Sequence, residues 1–166
     1  GATDEKNIIE HIVKLLDQVE ENFQLSILVG SSYLYLNQLK NRLSNVSFKY
    51  ELFQNPDNIA QIMSQSDFGI ISFGQTAYEL ASIGLPMLFL CITQDHLHSS
   101  QLFTKRKIGE SLGIYPFEKN SLFIEKITRS LKNIHDMHKM KNHSKSLDMS
   151  NLDLISNIII KDITTV

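Results

Sequence analysis

The sequence predicts a doubly wound parallel α/β domain. Short apolar runs alternate with amphipathic helical segments along the chain. Those runs are nearly continuous in hydrophobicity rather than alternating, as strands buried on both faces are. Several stop at turn residues that lead straight into a helix: Gly30-Ser31-Ser32, Ser72-Phe73-Gly74-Gln75 and Thr93-Gln94-Asp95-His96.

The elements follow in order. Ile8, Ile9, Ile12, Val13, Leu15 and Leu16 recur at helical spacing, so 4–20 reads as a helix. Leu25 to Val29 is a buried strand ending at Gly30. Leu34, Leu36, Leu39 and Leu43 mark a second helix, and Val46 to Phe53 a second strand. Asn55-Pro56-Asp57 reads as a helix start with Pro56 in its first turn, and Ile59, Ile62 and Met63 line one face. Phe68 to Ile71 is a strand, and the helix from Thr76 to Ile83 is stopped by Gly84. Pro86 to Ile92 is strand-like and Leu97 to Ile108 helical, with Gly109 or Gly113 breaking the chain. Leu122 to Leu131 and Asp153 to Ile163 read as further helices around a polar, Lys- and His-rich stretch at 132–146.

Composition excludes several classes. With 166 residues, 42% hydrophobic and 20% charged, the chain carries one ordinary core and is not disordered. A formal charge of −2 argues against nucleic acid as a partner. No apolar run approaches the ~18 residues of a membrane span. The single cysteine, Cys91, excludes a disulfide or zinc scaffold and fits a buried apolar residue in a reducing compartment. The opening residues show no signal-peptide pattern, so a cytoplasmic location is expected.

Ligands of open α/β sheets sit beyond the carboxyl ends of the strands. The Ser72–Thr76 turn is the most informative such end, because free N–H groups and the helix dipole there favour a phosphate. Thr76-x-x-Glu79 is open to two readings: a capping box, or a carboxylate facing the crevice to accept from a ribose diol. Ser31 and Ser32 either line the crevice or cap the next helix, and Asp95 suits a helix cap. His96-x-His98 lacks a third metal ligand, so no metal and no resident cofactor is expected. His135, His138 and His143 read as solvent-facing. The glycine fingerprints of dinucleotide and P-loop sites and the G-x-S-x-G nucleophile elbow are absent.

Four stretches carry a family resemblance: GATDEKN at 1–7, VGSSYLYLNQL at 29–39, SDFGIISFGQTAYELASIGLPM at 66–87 and TQDHLHSSQ at 93–101. Together they resemble the C-terminal nucleotide-binding domain of the GT-B glycosyltransferase-like fold, a Rossmann-like domain. Within it they are most similar to UDP-2,4-diacetamido-2,4,6-trideoxy-β-L-altropyranose hydrolases of pseudaminic-acid synthesis and to spore-coat and flagellin-modification polysaccharide proteins. The resemblance implies that residues 1–166 form the UDP-sugar-binding half of a two-domain enzyme, without the first strand of that half. The catalytic histidine would belong to an absent N-terminal domain, so no catalytic residue falls in this chain. It implies that Gly74, Gln75 and Thr76 receive the diphosphate and Glu79 holds the ribose. Backbone near Phe53 would meet the uracil, Ser31 and Tyr33 would border the pocket, and Asp95 and His96 would touch sugar or phosphate.

Two departures bear on function. The family's Gly-Gly-Ser becomes Phe73-Gly74-Gln75, which puts a bulky ring where close backbone approach is expected. Its Asn-Gln pair becomes Asp95-His96, and a carboxylate beside a diphosphate is repulsive unless a donor intervenes. Three functions are therefore carried forward: a UDP-sugar hydrolase half, a GT-B glycosyltransferase half, and a degenerate nucleotide-binding domain used for assembly or regulation.

Overall fold

The computed structural model describes residues 4–133, so the expected helix at 153–163, nearly all of the 132–146 stretch and His135, His138 and His143 lie outside the described residues. Helices α1 (Ile8–Leu16), α2 (Leu36–Leu43), α3 (Ile59–Ser64), α4 (Gln75–Ser82), α5 (Gln94–Lys105) and α6 (Asn120–Lys132) alternate with strands β1 (Gln24–Val29), β2 (Lys49–Gln54), β3 (Gly69–Ser72), β4 (Met87–Cys91) and β5 (Gly109–Ile114). All observed pairings are parallel. Strands β1 and β2 form one sheet and β3, β4 and β5, with β4 in the middle, form another. This is the alternating, doubly wound architecture expected from the sequence.

The middle strand holds the fold. Met87, Leu88, Phe89, Leu90 and Cys91 are all buried. Their side chains divide by the two-residue period of a strand. Leu88 and Leu90 pack with Ile12, Leu15 and Leu16 of α1 and with Phe123 and Ile127 of α6. Met87, Phe89 and Cys91 pack with Leu80 of α4 and Phe103 of α5 on the other face. Helix α1 also reaches the second sheet, where Val13 packs with Ile27 and Val29 of β1. One helix thus ties both sheets together.

Some boundaries differ from expectation, each for a local reason. Helix α1 begins at Ile8 because residues 4–7 form a turn with Asp4 and Asn7 at positive φ. Helix α3 begins at Ile59, not at Pro56. The Asn55 N–H still donates to the Val29 carbonyl at 2.8 Å and so belongs to the sheet, and Asn58 becomes the N-cap. Helix α5 begins at Gln94 because the Thr93 hydroxyl accepts the His96 N–H at 3.2 Å. Gly109 and Gly113 do not break the chain but lie in β5. A Cβ on Gly109 would stand 2.6 Å from Met87 Cγ and 3.0 Å from the Met87 carbonyl, so glycine is what lets the strands close up. Gly113, at φ +101°, sits where the β4–β5 register shifts by one residue.

Candidate functional site

Strands β3 and β4 pair side by side, Ser72 opposite Leu90, so the turns at their carboxyl ends are neighbours. The first turn delivers Gly74 as the N-cap of α4, followed by Gln75 and Thr76. Gly74 has an extended backbone, and a Cβ placed on it would meet nothing within 4 Å. The space beside this turn is therefore open. The second turn delivers Thr93, Asp95 and His96 at the start of α5.

The capping-box reading of Thr76 and Glu79 does not hold. Helix α4 starts two residues earlier than it requires, with Gly74 and not Thr76 as N-cap, and among the described residues no side chain bonds its N-terminal N–H groups. Glu79 lies one turn into the helix with its side chain exposed, and its carboxylate makes no hydrogen bond or ion pair among the described residues. Ser32 does not cap α2, whose N-cap is Tyr35, and Asp95 lies in the first turn of α5 instead of capping it. An acidic group there still faces the positive end of the helix dipole.

Phe73 does not obstruct the turn. Its side chain is 4% exposed and points into the core, with ring centroids 5.2 Å from both Phe89 and Phe103. The bulky residue is absorbed beneath the sheet end, and the backbone at Gly74 stays accessible. Phe73 also lies against the His96 ring at 6.5 Å. That contact seats His96 beside the α4 entrance. The half-buried His96 side chain has an Nδ1 that is shielded from solvent and has no hydrogen-bond partner among the described residues.

The other expected residues are distributed differently. Ser31 is exposed in the turn after β1, and Phe53 is half-buried on the outer strand β2. Tyr33 is mostly a core residue, packed with Val29 and Leu39. Its hydroxyl donates to Asn7 Oδ1 at 3.3 Å, and burial, reinforced by Asp4 and Glu10, pushes its pKa up to about 12. The structure thus brings Gly74, Gln75, Thr76 and His96 to adjoining turns. It leaves Ser31, Tyr33 and Phe53 on the β1–β2 side of a cavity of about 600 Å³. Thr76 lines that cavity.

The turn before α1 carries a feature that residue-by-residue reading missed. The Asp4 carboxylate accepts the N–H groups of Ile8 and Ile9 at 2.8 and 2.9 Å, so it occupies the anion-attracting end of α1 itself. Tyr35 fastens the same turn by donating to the Glu5 carbonyl at 3.0 Å. The sequence signal was an Asp four residues before the first apolar helix position. Cys91 is buried and burial pushes its thiol up, the setting of a packed core residue. No cluster of three potential metal ligands occurs among the described residues, and no described helix is long and apolar enough to cross a membrane.

A parallel α/β fold with an open glycine turn at a helix N-terminus and an exposed acid one turn on is the geometry in which a phosphate-bearing ligand can be received. Residues 1–157 match the glycosyltransferase family 28 C-terminal domain, and the chain belongs to that family. It is 31% identical over 114 residues to the UDP-N-acetylglucosamine–N-acetylmuramyl-(pentapeptide) pyrophosphoryl-undecaprenol N-acetylglucosamine transferase of Rickettsia bellii, covering 66% of this chain and 32% of that protein. It is 22% identical over 131 residues to the spore coat polysaccharide biosynthesis protein SpsG of Bacillus subtilis, covering 78% of this chain and 38% of the relative. The crystal structure of Acinetobacter baumannii MurG superposes with a TM-score of 0.75 at 15% identity, over 95% of this chain and 48% of that one. The chain thus spans about a third of the curated relatives' length and about half of the MurG chain. The GT-B-like fold is established by these matches, and with it the relation to glycosyltransferases.

Proposed function

We propose that this chain is the nucleotide-sugar-binding half of a GT-B glycosyltransferase, taking a UDP-sugar whose sugar is transferred by residues contributed from a second, N-terminal domain. The carrying observation is the carboxylate of Glu79, exposed and unpaired among the described residues, one turn beyond the open Gly74 turn. The uncapped N–H groups of α4 suit a diphosphate. Glu79, one turn further along, suits the two hydroxyls of a ribose. The Nδ1 of His96, without a hydrogen-bond partner among the described residues, adds a further polar group beside that turn. The family membership and the Rickettsia bellii likeness favour transfer to an acceptor. Hydrolysis of the UDP-sugar, releasing UDP and a free deoxy-diacetamido sugar, is the second reading; it rests on the resemblance of the 66–87 stretch to the UDP-sugar hydrolases, and the likeness to SpsG accords with a role in polysaccharide biosynthesis.

UDP titrated into isotope-labelled chain is expected to shift the amides of Gly74, Gln75, Thr76 and Glu79 saturably. Shifts confined to other residues, or none at millimolar UDP, would sink the proposal and leave the degenerate domain in its place. Product analysis of the longer protein separates the two reactions: a glycosylated acceptor for transfer, free sugar with UDP for hydrolysis.

A further inference from the structure

We infer that the outer edge of β2 pairs antiparallel with the same edge of a second copy of this chain, about a two-fold axis at Tyr50. Strands β2 and β5 stand at the two outer margins, since β1 and β3 both line the cavity between the sheets. The two margins differ. Strand β5 carries the register shift between Ser111 and Gly113, Lys126 of α6 donates to its Ser111 carbonyl, and Glu110 is paired with Arg129. Bulges and charged side chains laid along an edge keep it from pairing. Strand β2 carries no bulge, and no helix side chain bonds to its backbone among the described residues.

The free edge is made of particular groups. Bonding direction alternates from residue to residue along a parallel strand. The Asn55 N–H donates to the Val29 carbonyl, so Lys49, Glu51 and Phe53 bond inward to β1. The N–H and C=O groups of Tyr50, Leu52 and Gln54 therefore point outward, and none has a partner there among the described residues. Lys49, Tyr50 and Glu51 are all exposed, Tyr50 to 40%. Lys49 and Glu51 lie on one face, two residues apart, and neither side chain has an ion-pair or hydrogen-bond partner among the described residues.

Charge selects the partner and the register. A lone lysine on an edge repels its own copy, whereas a lysine and a glutamate two residues apart attract it. Antiparallel pairing about a two-fold sets outward groups opposite outward groups. Centred on Tyr50, it joins the two Tyr50 residues as a hydrogen-bonded pair. Lys49 of each copy then stands opposite Glu51 of the other, in the closer, non-hydrogen-bonded pairs with Cα atoms ~4.5 Å apart. Centred on Glu51, it sets two carboxylates against each other, which is destabilising. Centred on Leu52, it sets Glu51 opposite Phe53 and Lys49 opposite Asn55, which has left the strand at positive φ, and neither charge is matched. Backbone bonds thus supply the affinity and the charge pattern the register. The interface is isologous, so it closes as a dimer and does not propagate.

Sedimentation velocity of the natural protein over a range of concentrations tests this with no nucleotide present, so its outcome is independent of the proposed function. A monomer–dimer equilibrium is expected. Glu51→Lys and Lys49→Glu each turn two attractions into two repulsions and are expected to weaken the dimer roughly 10- to 30-fold. The double variant Lys49→Glu/Glu51→Lys exchanges the signs and is expected to dimerise within about threefold of the natural protein. Both side chains are exposed, so an unchanged unfolding midpoint reports that each variant is folded. Amide exchange adds a second measurement: Tyr50 and Leu52 slow as concentration rises, while Glu51 and Phe53, already bonded to β1, do not. A monomer at every concentration overturns the inference. So does a dimer indifferent to the single variants, or one that the double variant fails to restore.

Discussion

Strand β4 has a bonded neighbour on each edge and buries every residue from Met87 to Cys91, whereas β1 buries only Ile27 and Val29 and β3 none of its four residues fully. Composition does not explain the contrast, since Leu28, Ile70 and Ile71 are as apolar as Leu88 and Leu90. Position does. A strand is fully buried when both of its edges and both of its faces are covered, and among the described residues β1 and β3 each lack one edge partner. The stabilising burial of the chain is therefore concentrated in the three-stranded sheet and its helices. The candidate site and the cavity lie at its less finished margin, which is where binding residues with free polar groups belong.

The sharpest way to break this comparison is to truncate one side chain in each sheet. Phe89→Ala removes a fully buried ring contacted by Phe73 and is expected to cost about 3–5 kcal/mol in denaturant unfolding. Leu52→Ala, half-buried on β2, is expected to cost nearer 1 kcal/mol. Equal losses would show that the two sheets share the burden, contrary to the packing.

A smaller effect distinguishes two glycines of the three-stranded sheet. Gly109→Ala drives a Cβ against the Met87 backbone and the Phe89 ring and is expected to cost about 1–3 kcal/mol. Gly69→Ala is crowded by a side-chain end alone, the Leu80 Cδ1 methyl at 2.9 Å, with Ile71 Cγ2 at an ordinary 3.9 Å, and should cost less. Thermal unfolding of both variants checks the ranking, and a more damaging Gly69 substitution would place the tight packing on the wrong strand.

Smaller again is the cap that anchors the helix shared by both sheets. Asp4→Ala removes both carboxylate bonds at the start of α1 and is expected to cost about 1 kcal/mol. Asp4→Asn keeps one acceptor and should recover part of it. No loss in either variant would mean that the α1 contacts to the two sheets, and not its cap, fix the helix.

Much of this organisation was legible in the sequence because strand and helix periods survive wherever one face is buried. Strand β5 was not, because Gly109 and Gly113 read as breakers. Their reason for being there, the approach of Met87 and a register shift, lies on the partner strand. Helix starts were misplaced where two good capping residues stand close together: Thr93 caps α5 although Asp95 has equal local propensity. At the candidate site, the turn-to-helix pattern showed that Gly74 precedes a helix carrying Glu79. The harmlessness of Phe73 was not, since only the packing of Phe89 and Phe103 shows which way its ring turns.

Glu79 gives the smallest stability effect and the most telling one. The side chain is exposed and bonds to nothing among the described residues, so Glu79→Ala is expected to change unfolding free energy by no more than about 0.5 kcal/mol. A capping glutamate would instead have cost about 1 kcal/mol. If the carboxylate grips a ribose, the same variant weakens UDP binding by roughly 10- to 100-fold, since hydrogen bonds to a charged group contribute about 1.5–3 kcal/mol. Calorimetric titration beside denaturant unfolding of one protein preparation reads both quantities. Intact stability with lost affinity assigns Glu79 to the ligand. Intact stability with unchanged affinity removes it from the candidate site, and leaves the Gly74 turn and His96 as the groups to be tested next.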